Sequence, residues 1–407
     1  MALIDPTETA ACAGRSAAMV EAEITDAAHY SRLHAEWESL VTRAILPNVS
    51  MHPAVALAAA DAGARTYVIL AWRRHGAEVA RELVGAWVLG VGRLHRRWPA
   101  PVLVGPADRN LILGVPVVDR AAVEDTLSAM LDAVAAIRSL PAILQLREVP
   151  TEGPLFEGLR RVLARRRSGL LVRRRLLRPK LTSRDDADGY LAGSLSAGRR
   201  AGLRRRRRRL GEMGMTEVTF HRTRQEVQTE FETFLALEAS GWKGRAGTAL
   251  ARRGEGALAF VRPMIRGLAD HGLVTIVALR LDGRAVAMEV LLRCGGVVHT
   301  WKCAYDESLR SLGPGFLLFE DLTRALLADP SLVLADMSNN REFTDPNGAN
   351  GFWPERQEVA DLHVRVRASG AVDLLAAGLA TWLGRARRAL APRPAPASGD
   401  RPSTASR

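Results

Sequence analysis

Two stretches of the chain carry the same hydrophobic pattern in the same order. Thr66-Tyr67-Val68-Ile69-Leu70-Ala71-Trp72 is followed by Glu82-Leu83-Val84-Gly85-Ala86-Trp87-Val88-Leu89. Thr275-Ile276-Val277-Ala278-Leu279-Arg280-Leu281 is followed by Ala285-Val286-Ala287-Met288-Glu289-Val290-Leu291-Leu292. Each piece is an apolar run of strand length. The runs are separated by a polar turn, 73–77 in the first pair and Asp282-Gly283 in the second, the latter a dipeptide suited to a two-residue hairpin. The surrounding elements recur as well. A helical spacing over 28–44, through Leu33, Trp37, Leu40 and Val41, precedes the first pair, and spacings over 225–240 and 257–271 precede the second. A helix over 121–140 and a strand over 142–149 follow the first pair. A strand over 297–305, a helix over 315–328 and a strand over 332–337 follow the second. Strands alternating with helices exclude a bundle or a sandwich and predict an α/β (α+β) fold of two similar domains in tandem, each a mixed sheet flanked by helices.

The 407 residues, 47% of them hydrophobic, suffice for two cores of ordinary size. Pro179, Ser183, Asp185, Asp186 and Asp188 interrupt two basic segments and divide the chain into residues 1–180 and 181–370. Residues 371–390 read as an amphipathic helix with Arg385, Arg387 and Arg388 in its last turns. Residues 391–407, rich in Pro, Ala and Ser, read as a disordered tail. No apolar run approaches the roughly 18 residues that a membrane span needs. Asp5 and Glu8 precede any basic residue, and no long apolar core follows, so no secretory signal is expected and the expected location is cytoplasmic. Cys12, Cys294 and Cys303 imply reduced thiols, and the nine histidines show no metal-ligand spacing, so no metal is expected.

Lys and Arg outnumber Asp and Glu by 57 to 44, a net charge of +13 that admits nucleic acid, an anionic membrane or phosphorylated ligands as partners. Arginines cluster at 160–178, 199–209 and 385–393. The six at 204–209 lack interleaved aromatics or a recognition-helix pattern. They read as a solvated basic helix that attracts an anionic acceptor or the phosphates of a cofactor.

One loop carries chemistry. Arg310-Ser311-Leu312-Gly313-Pro314-Gly315 fits R-x-x-G-x-G between a predicted strand and a predicted helix that opens on Phe316. Glycines let a ligand approach the backbone, and a helix start offers unpaired N–H groups and the positive end of a dipole. Arg310 adds a guanidinium suited to phosphate. The site lacks the strand order of a dinucleotide-binding unit and the lysine of a P-loop.

The segment 190–367 resembles the GNAT-like acetyltransferases associated with cellulose and exopolysaccharide gene clusters, relatives of the FemAB-like tandem-domain transferases. The residues that carry the likeness are Leu237-Glu238, Gly241-Trp242-Lys243-Gly244, Gly247-Thr248, Trp301-Lys302, Tyr305-Asp306, Gly313-Pro314-Gly315 with Leu317-Leu318, and Asp336. Leu46-Pro47-Asn48 and His52-Pro53 extend it into the first half. The family often shows a Tyr-Lys pair and a Trp after its last acidic strand. Here Asn339, Asn340, Phe352-Trp353-Pro354 and Arg356 stand there.

The resemblance implies two tandem GNAT-like acyl-CoA N-acyltransferase domains, the first without a cofactor loop, using acetyl-CoA or another acyl-CoA as co-substrate. Arg310, Ser311, Leu312, Gly313, Gly315 and Phe316 would bind the cofactor. The acceptor, small or glycan-like, would lie in the cleft between the domains. Glu238, Asp336 and Lys302 are the catalytic candidates, and Trp242, Lys243, Tyr305, Glu289 and Trp353 would contact the acceptor. The plainer alternatives are a Glu238–Lys243 pair, a loop fixed by Asp336, an outward Glu289 and tryptophans in the core. Two other functions stand beside acyl transfer from CoA: a FemAB-like transferase dependent on aminoacyl-tRNA, and a non-catalytic GNAT module that binds polyanions through its arginines.

Overall fold

The computed structural model describes residues 19–74, 81–95, 98–105, 112–183, 185–338 and 351–370, with the single residues 372, 375 and 379. The predicted helix 371–390 lies almost wholly outside the described residues, and so do the predicted tail 391–407, Asn339 and Asn340. In the first half the order is β1 (Val20–Thr25), α1 (Ala27–Tyr30), α2 (His34–Arg43), α3 (Pro53–Asp61), β2 (Thr66–Arg73), β3 (Glu82–His95), β4 (Trp98–Val104), β5 (Val117–Val118), α4 (Val123–Ala136), β6 (Ile143–Pro150), α5 (Pro154–Arg165) and β7 (Leu170–Leu181). The second half continues with α6 (Ala187–Ser194), α7 (Ala197–Gly211), β8 (Thr216–His221), α8 (Arg224–Ser240), α9 (Trp242–Arg245), α10 (Glu255–Asp270), β9 (Val274–Leu281), β10 (Arg284–Cys294), β11 (Val297–Tyr305), α11 (Pro314–Leu327), β12 (Leu334–Asp336) and β13 (Arg356–Arg365).

Both expected hairpins are present. β2 pairs antiparallel with β3, and β9 with β10. At the second turn Asp282 and Gly283 both take positive φ, 47° and 78°, as a hairpin that follows the strand twist requires. Each half then repeats a third antiparallel strand and a crossover to a parallel one: β3–β4 and β4–β6 in the first, β10–β11 and β11–β12 in the second. The predicted helix 28–44 is two helices, because Ser31 and Arg32 close a turn between α1 and α2.

All the strands among the described residues join one mixed sheet in the order β1-β2-β3-β4-β6-β13-β7-β12-β11-β10-β9-β8, with β5 on β3. The centre of this order interlocks the halves. β13, the last strand among the described residues, pairs with β6 of the first half, while β7, which ends at Leu181, pairs with β12 of the second. A cut between 180 and 181 therefore leaves each half's sheet closed by a strand from the other.

Helices cover both faces of the second half's strands. Ile276, Ala278, Met288 and Val290 join the core with α8 and α10, whereas Val277, Leu279, Val286 and Leu291 join the core with α11. Two-sided burial explains why these strands read as continuous apolar runs rather than as alternating ones. The first core is shared between the halves, since α10 lies on α3 closely enough for a Cβ on Gly267 to stand 2.8 Å from Ala54.

Candidate active site

β11 leads into the glycine loop. Asp306 caps the turn that follows, its Oδ1 accepting from Ser308 N–H at 2.9 Å and from Ser308 Oγ at 2.6 Å. The turn over 307–312 ends at Gly313, which takes a left-handed conformation (φ 58°, ψ 53°), and Pro314 then fills the first position of α11. Only glycine adopts this conformation without strain. A Cβ on Gly315, by contrast, would meet nothing closer than the Tyr305 ring at 3.7 Å, an ordinary contact. At the opening turn of α11 Pro314 carries no N–H, and the Phe316 and Leu317 N–H groups donate to the Gly313 carbonyl at 2.9 and 3.2 Å, so the Gly315 N–H and the positive end of the helix dipole are what the turn offers an anion. Arg310 and Ser311 are exposed at this rim, with Leu312 and Phe316 half-buried beside it.

A further guanidinium reaches the loop from the arginine run. Arg206 of α7 sits over the Phe316 ring, 5.9 Å from its centroid, with Nη1 3.3 Å from the place where a Gly313 Cβ would stand. Its neighbour Arg207 pins α7 to α11 through Asp321 at 3.0 Å and Glu320 at 3.1 Å. Arg204, Arg205, Arg208 and Arg209 face solvent. The sequence shows six equivalent arginines. What singles out 206 and 207 is the docking of α7 through Leu203 and Leu210, seven residues apart on one side of the helix.

Upstream, β11 departs from regular pairing in two ways. Its ladder with β10 shifts between Val290 and Leu291, opposite Lys302 and Thr300, so Trp301 is the extra residue of a bulge. Its parallel ladder with β12 ends at His299 opposite Asp336. Among the described residues, β11 from Thr300 to Tyr305 has no strand on that side, which leaves an edge where an extended ligand can pair with backbone.

The polar cluster lies beside this edge. Glu238, buried on α8, accepts the Leu250 N–H at 2.7 Å and stands 3.4 Å from Lys243 Nζ. Lys243 Nζ donates to the Cys303 carbonyl at 2.6 Å. Burial acts to lower the Lys243 pKa, but the opposing pull of Cys303, Glu238 and Glu289 leaves it raised, so the group stays an ammonium. Glu289, also buried, lies opposite Cys303 in the β10–β11 ladder. Cys303 itself is an exposed free thiol on β11. Lys302 is half-buried, 5.7 Å from the Trp301 ring, and Trp242 and Tyr305 are exposed at the rim. The structure thus brings Glu238, Lys243, Glu289, Lys302 and Tyr305 to the same end of β11 as the glycine loop.

Glu307, which the sequence reading missed, joins the two. Its Oε1 accepts the Trp242 N–H at 2.5 Å and its other oxygen pairs with Arg245. The Trp242-Lys243-Gly244 turn is equally constrained, since a Cβ on Gly244 would fall 1.8 Å from the Ala239 carbonyl oxygen.

Two expected residues lie elsewhere. Trp353 is fully buried under α11, its Nε1 donating to Thr323 Oγ1 at 3.1 Å and its ring 5.0 Å from Phe319, so it fills the core instead of lining a cleft. Asp336 is sealed at the centre of the sheet. It pairs with Arg178 of β7 and lies 3.4 Å from His299 Nδ1, while Arg178 also binds Glu148 of β6 at 2.6 Å. Burial acts to raise the Asp336 pKa, and Arg178 and His299 outweigh it and hold the carboxyl below its ordinary value. Glu148 takes a left-handed backbone (φ 52°), strained for a non-glycine residue, and donates its N–H to Asp361 Oδ1 at 3.0 Å. This network fastens β6, β7 and β12 where the halves exchange strands.

Residues 197–334, from α7 to the start of β12, match the acetyltransferase (GNAT) domain family. Among solved structures the chain is similar to FemX, with a TM-score of 0.57 at 10% identity over 84% of this chain and 98% of that one. It is also similar to a conserved protein from Bacteroides thetaiotaomicron, with a TM-score of 0.51 at 12% identity over 85% and 100% of the two chains. A third is the C-terminal domain of a candidate lysylphosphatidylglycerol synthetase from Agrobacterium fabrum, with a TM-score of 0.50 at 14% identity over 86% and 96%. These likenesses are likenesses of fold. No curated protein matches the chain significantly.

Proposed function

We propose that this chain, a GNAT-superfamily transferase, moves an acyl group from acyl-CoA to an amine or hydroxyl acceptor bound beside Glu238, Lys243 and Glu289. The observation that carries this reading is the continuity of the site along β11. The anion-receiving start of α11 and the open strand edge follow one another along β11 and its loop, and the carboxylates Glu238 of α8 and Glu289 of β10 flank that strand. The pyrophosphate would rest on the 313–316 turn between Arg310 and Arg206. The extended arm of the cofactor would pair with the β11 edge, which brings the thioester to the Trp301 bulge beside the carboxylate cluster.

The acceptor's nucleophilic atom attacks the thioester carbonyl, its proton passes to Glu238 or Glu289, and the C–S bond breaks to release CoA. Lys243, kept charged, anchors the acceptor and the two carboxylates. Asp336 is already engaged by Arg178 and positions the sheet rather than exchanging a proton. Acetyl-CoA is the simplest donor, and a small or glycan-like acceptor of the kind handled in polysaccharide biosynthesis fits the family resemblance. No described helix is long and apolar enough to cross a membrane. Cys294 and Cys303 are both free thiols, which fits the reducing cytoplasm.

A second reading, transfer from aminoacyl-tRNA, rests on the four exposed arginines of α7 beside the loop and on the likeness of fold to FemX. Calorimetry with acetyl-CoA and with bulk tRNA at two salt concentrations separates the readings. The proposal expects saturable acetyl-CoA binding and, at most, weak tRNA binding that fades steeply with salt. Tight, salt-resistant tRNA binding without acetyl-CoA binding would favour the second.

A further inference from the structure

Three histidines that sequence spacing could not relate meet where the two halves touch. His34 is the first residue of α2, His52 precedes α3, and His271 follows α10. Each offers one ring nitrogen, and these nitrogens lie within 4.8 Å of one another. The ring centroids of His34 and His271 are 4.4 Å apart, those of His52 and His271 5.0 Å, and those of His34 and His52 5.6 Å. His52 is 1% exposed, and the Trp37 edge closes over it at 5.6 Å. Among the described residues, no other group of three His, Cys, Asp or Glu side chains could hold an ion.

We infer that His34, His52 and His271 form a divalent transition-metal site of zinc type that fastens α2 and α3 of the first half to α10 of the second. Three imidazoles from three elements form a nitrogen-rich set that suits zinc and its neighbours rather than magnesium or calcium. A tetrahedral ion with bonds of about 2.0–2.1 Å would draw the three nitrogens to roughly 3.3 Å of one another, which side-chain rotation can supply. Nδ1 of His34 is buried and has no hydrogen-bond partner, so its coordination would break no hydrogen bond within the fold. A carboxylate is at hand for the fourth position. Glu38, one turn beyond His34 on α2, lies 3.9 Å from His271 Nδ1.

One contact opposes the ion. His52 Nδ1 accepts the Ala54 N–H at 3.1 Å as the cap of α3, so coordination through Nε2 moves the ring proton to Nδ1 and gives up that cap.

The test uses the full chain without a histidine tag, stripped with a chelator, and three readouts. Zn2+ is titrated calorimetrically, Co2+ is followed by its visible absorption, and Tm is measured with and without Zn2+. The variants are His271→Gln and His34→Gln, since both side chains are partly exposed and their loss leaves the α3 cap intact. The expected result is one ion per chain, a four-coordinate Co2+ spectrum displaced by Zn2+, and a Tm rise of about 3 °C at a hundredfold excess over Kd. Each variant should bind at least tenfold more weakly and lose the Tm rise. A wild-type chain that takes up no stoichiometric ion at micromolar concentration overturns the inference. So does undiminished binding with an unchanged Co2+ spectrum in both variants. Neither outcome bears on the acyltransferase reading, which requires no metal.

Discussion

Glu307 accepts the backbone N–H of Trp242 at 2.5 Å, across sixty-five positions of sequence, and so ties the turn before the glycine loop to the turn that carries Lys243. Its other oxygen holds Arg245. Placing donor and acceptor in one geometry is a large part of what a transferase contributes, and this carboxylate, together with the Lys243 Nζ bond to the Cys303 carbonyl, links the two sides of the site directly.

Glu307→Ala is therefore expected to raise KM for the acceptor and lower kcat, together roughly tenfold in kcat/KM, the worth of one charge-assisted hydrogen bond. The Kd for acetyl-CoA should change less than about threefold. Steady-state kinetics beside calorimetry checks the split. Equal losses in both would show that Glu307 supports the glycine loop alone.

Asp336→Asn is expected to act through stability. Breaking a buried pair leaves Arg178 with Glu148 as its remaining carboxylate, at a cost of about 3–5 kcal/mol. Because the folded pKa of Asp336 is depressed, its contribution is fully present above the unfolded value of about 3.9 and is lost as pH falls through the folded value. Wild-type stability should thus fall on acidification below about pH 4, and the Asn variant should show a shallower acid limb. Denaturant unfolding from pH 3 to pH 7 measures both. A variant with wild-type stability and lost turnover would return Asp336 to the chemistry.

Glu238→Gln separates the two carboxylates. Turnover should drop at least tenfold in the amide variant of whichever carboxylate receives the proton, Glu238→Gln or Glu289→Gln, while acetyl-CoA affinity stays the same. Unchanged turnover in both amide variants, Glu238→Gln and Glu289→Gln, with an identified acceptor would make these side chains structural.

The hairpins, the α11 loop and most second-half strands were legible because burial on both faces writes long apolar runs and the Asp282-Gly283 turn has its own chemistry. β7 was not. Its Leu170–Leu181 run contains Arg173, Arg174, Arg175 and Arg178 and reads as a basic cluster, yet Arg178 is buried because Asp336 and Glu148 meet it from other strands. β13 carries Glu358, Asp361 and His363 among its apolar residues, and its place between β6 and β7 is a long-range fact that local pattern does not encode. Asp336 was visible as an acid at a strand end, but whether it faces a cleft or an arginine depends on β7. Glu307 was overlooked because a carboxylate in a polar turn carries no signal until its partner 65 positions away is known.

Arg206→Ala is expected to weaken acetyl-CoA binding roughly five- to thirtyfold, with a smaller salt dependence than wild type, because a guanidinium beside the 313–316 turn contributes about 1–2 kcal/mol to a phosphate. Arg205→Ala, on the exposed face of the same helix, should change it less than about twofold. Equal effects would mean that the run acts only as a diffuse field.

The most direct test of the central claim is the calorimetric titration of acetyl-CoA into wild-type protein and Gly315→Val. A Cβ at 315 meets only the Tyr305 ring, at ordinary contact distance, so the variant should keep the wild-type circular dichroism and a Tm within a few degrees while its side chain enters the space where the pyrophosphate meets α11. The account predicts one acetyl-CoA per wild-type chain and at least about a hundredfold weaker binding in the folded variant. A folded Gly315→Val protein with wild-type affinity, or a wild-type chain that does not bind acetyl-CoA, would contradict it.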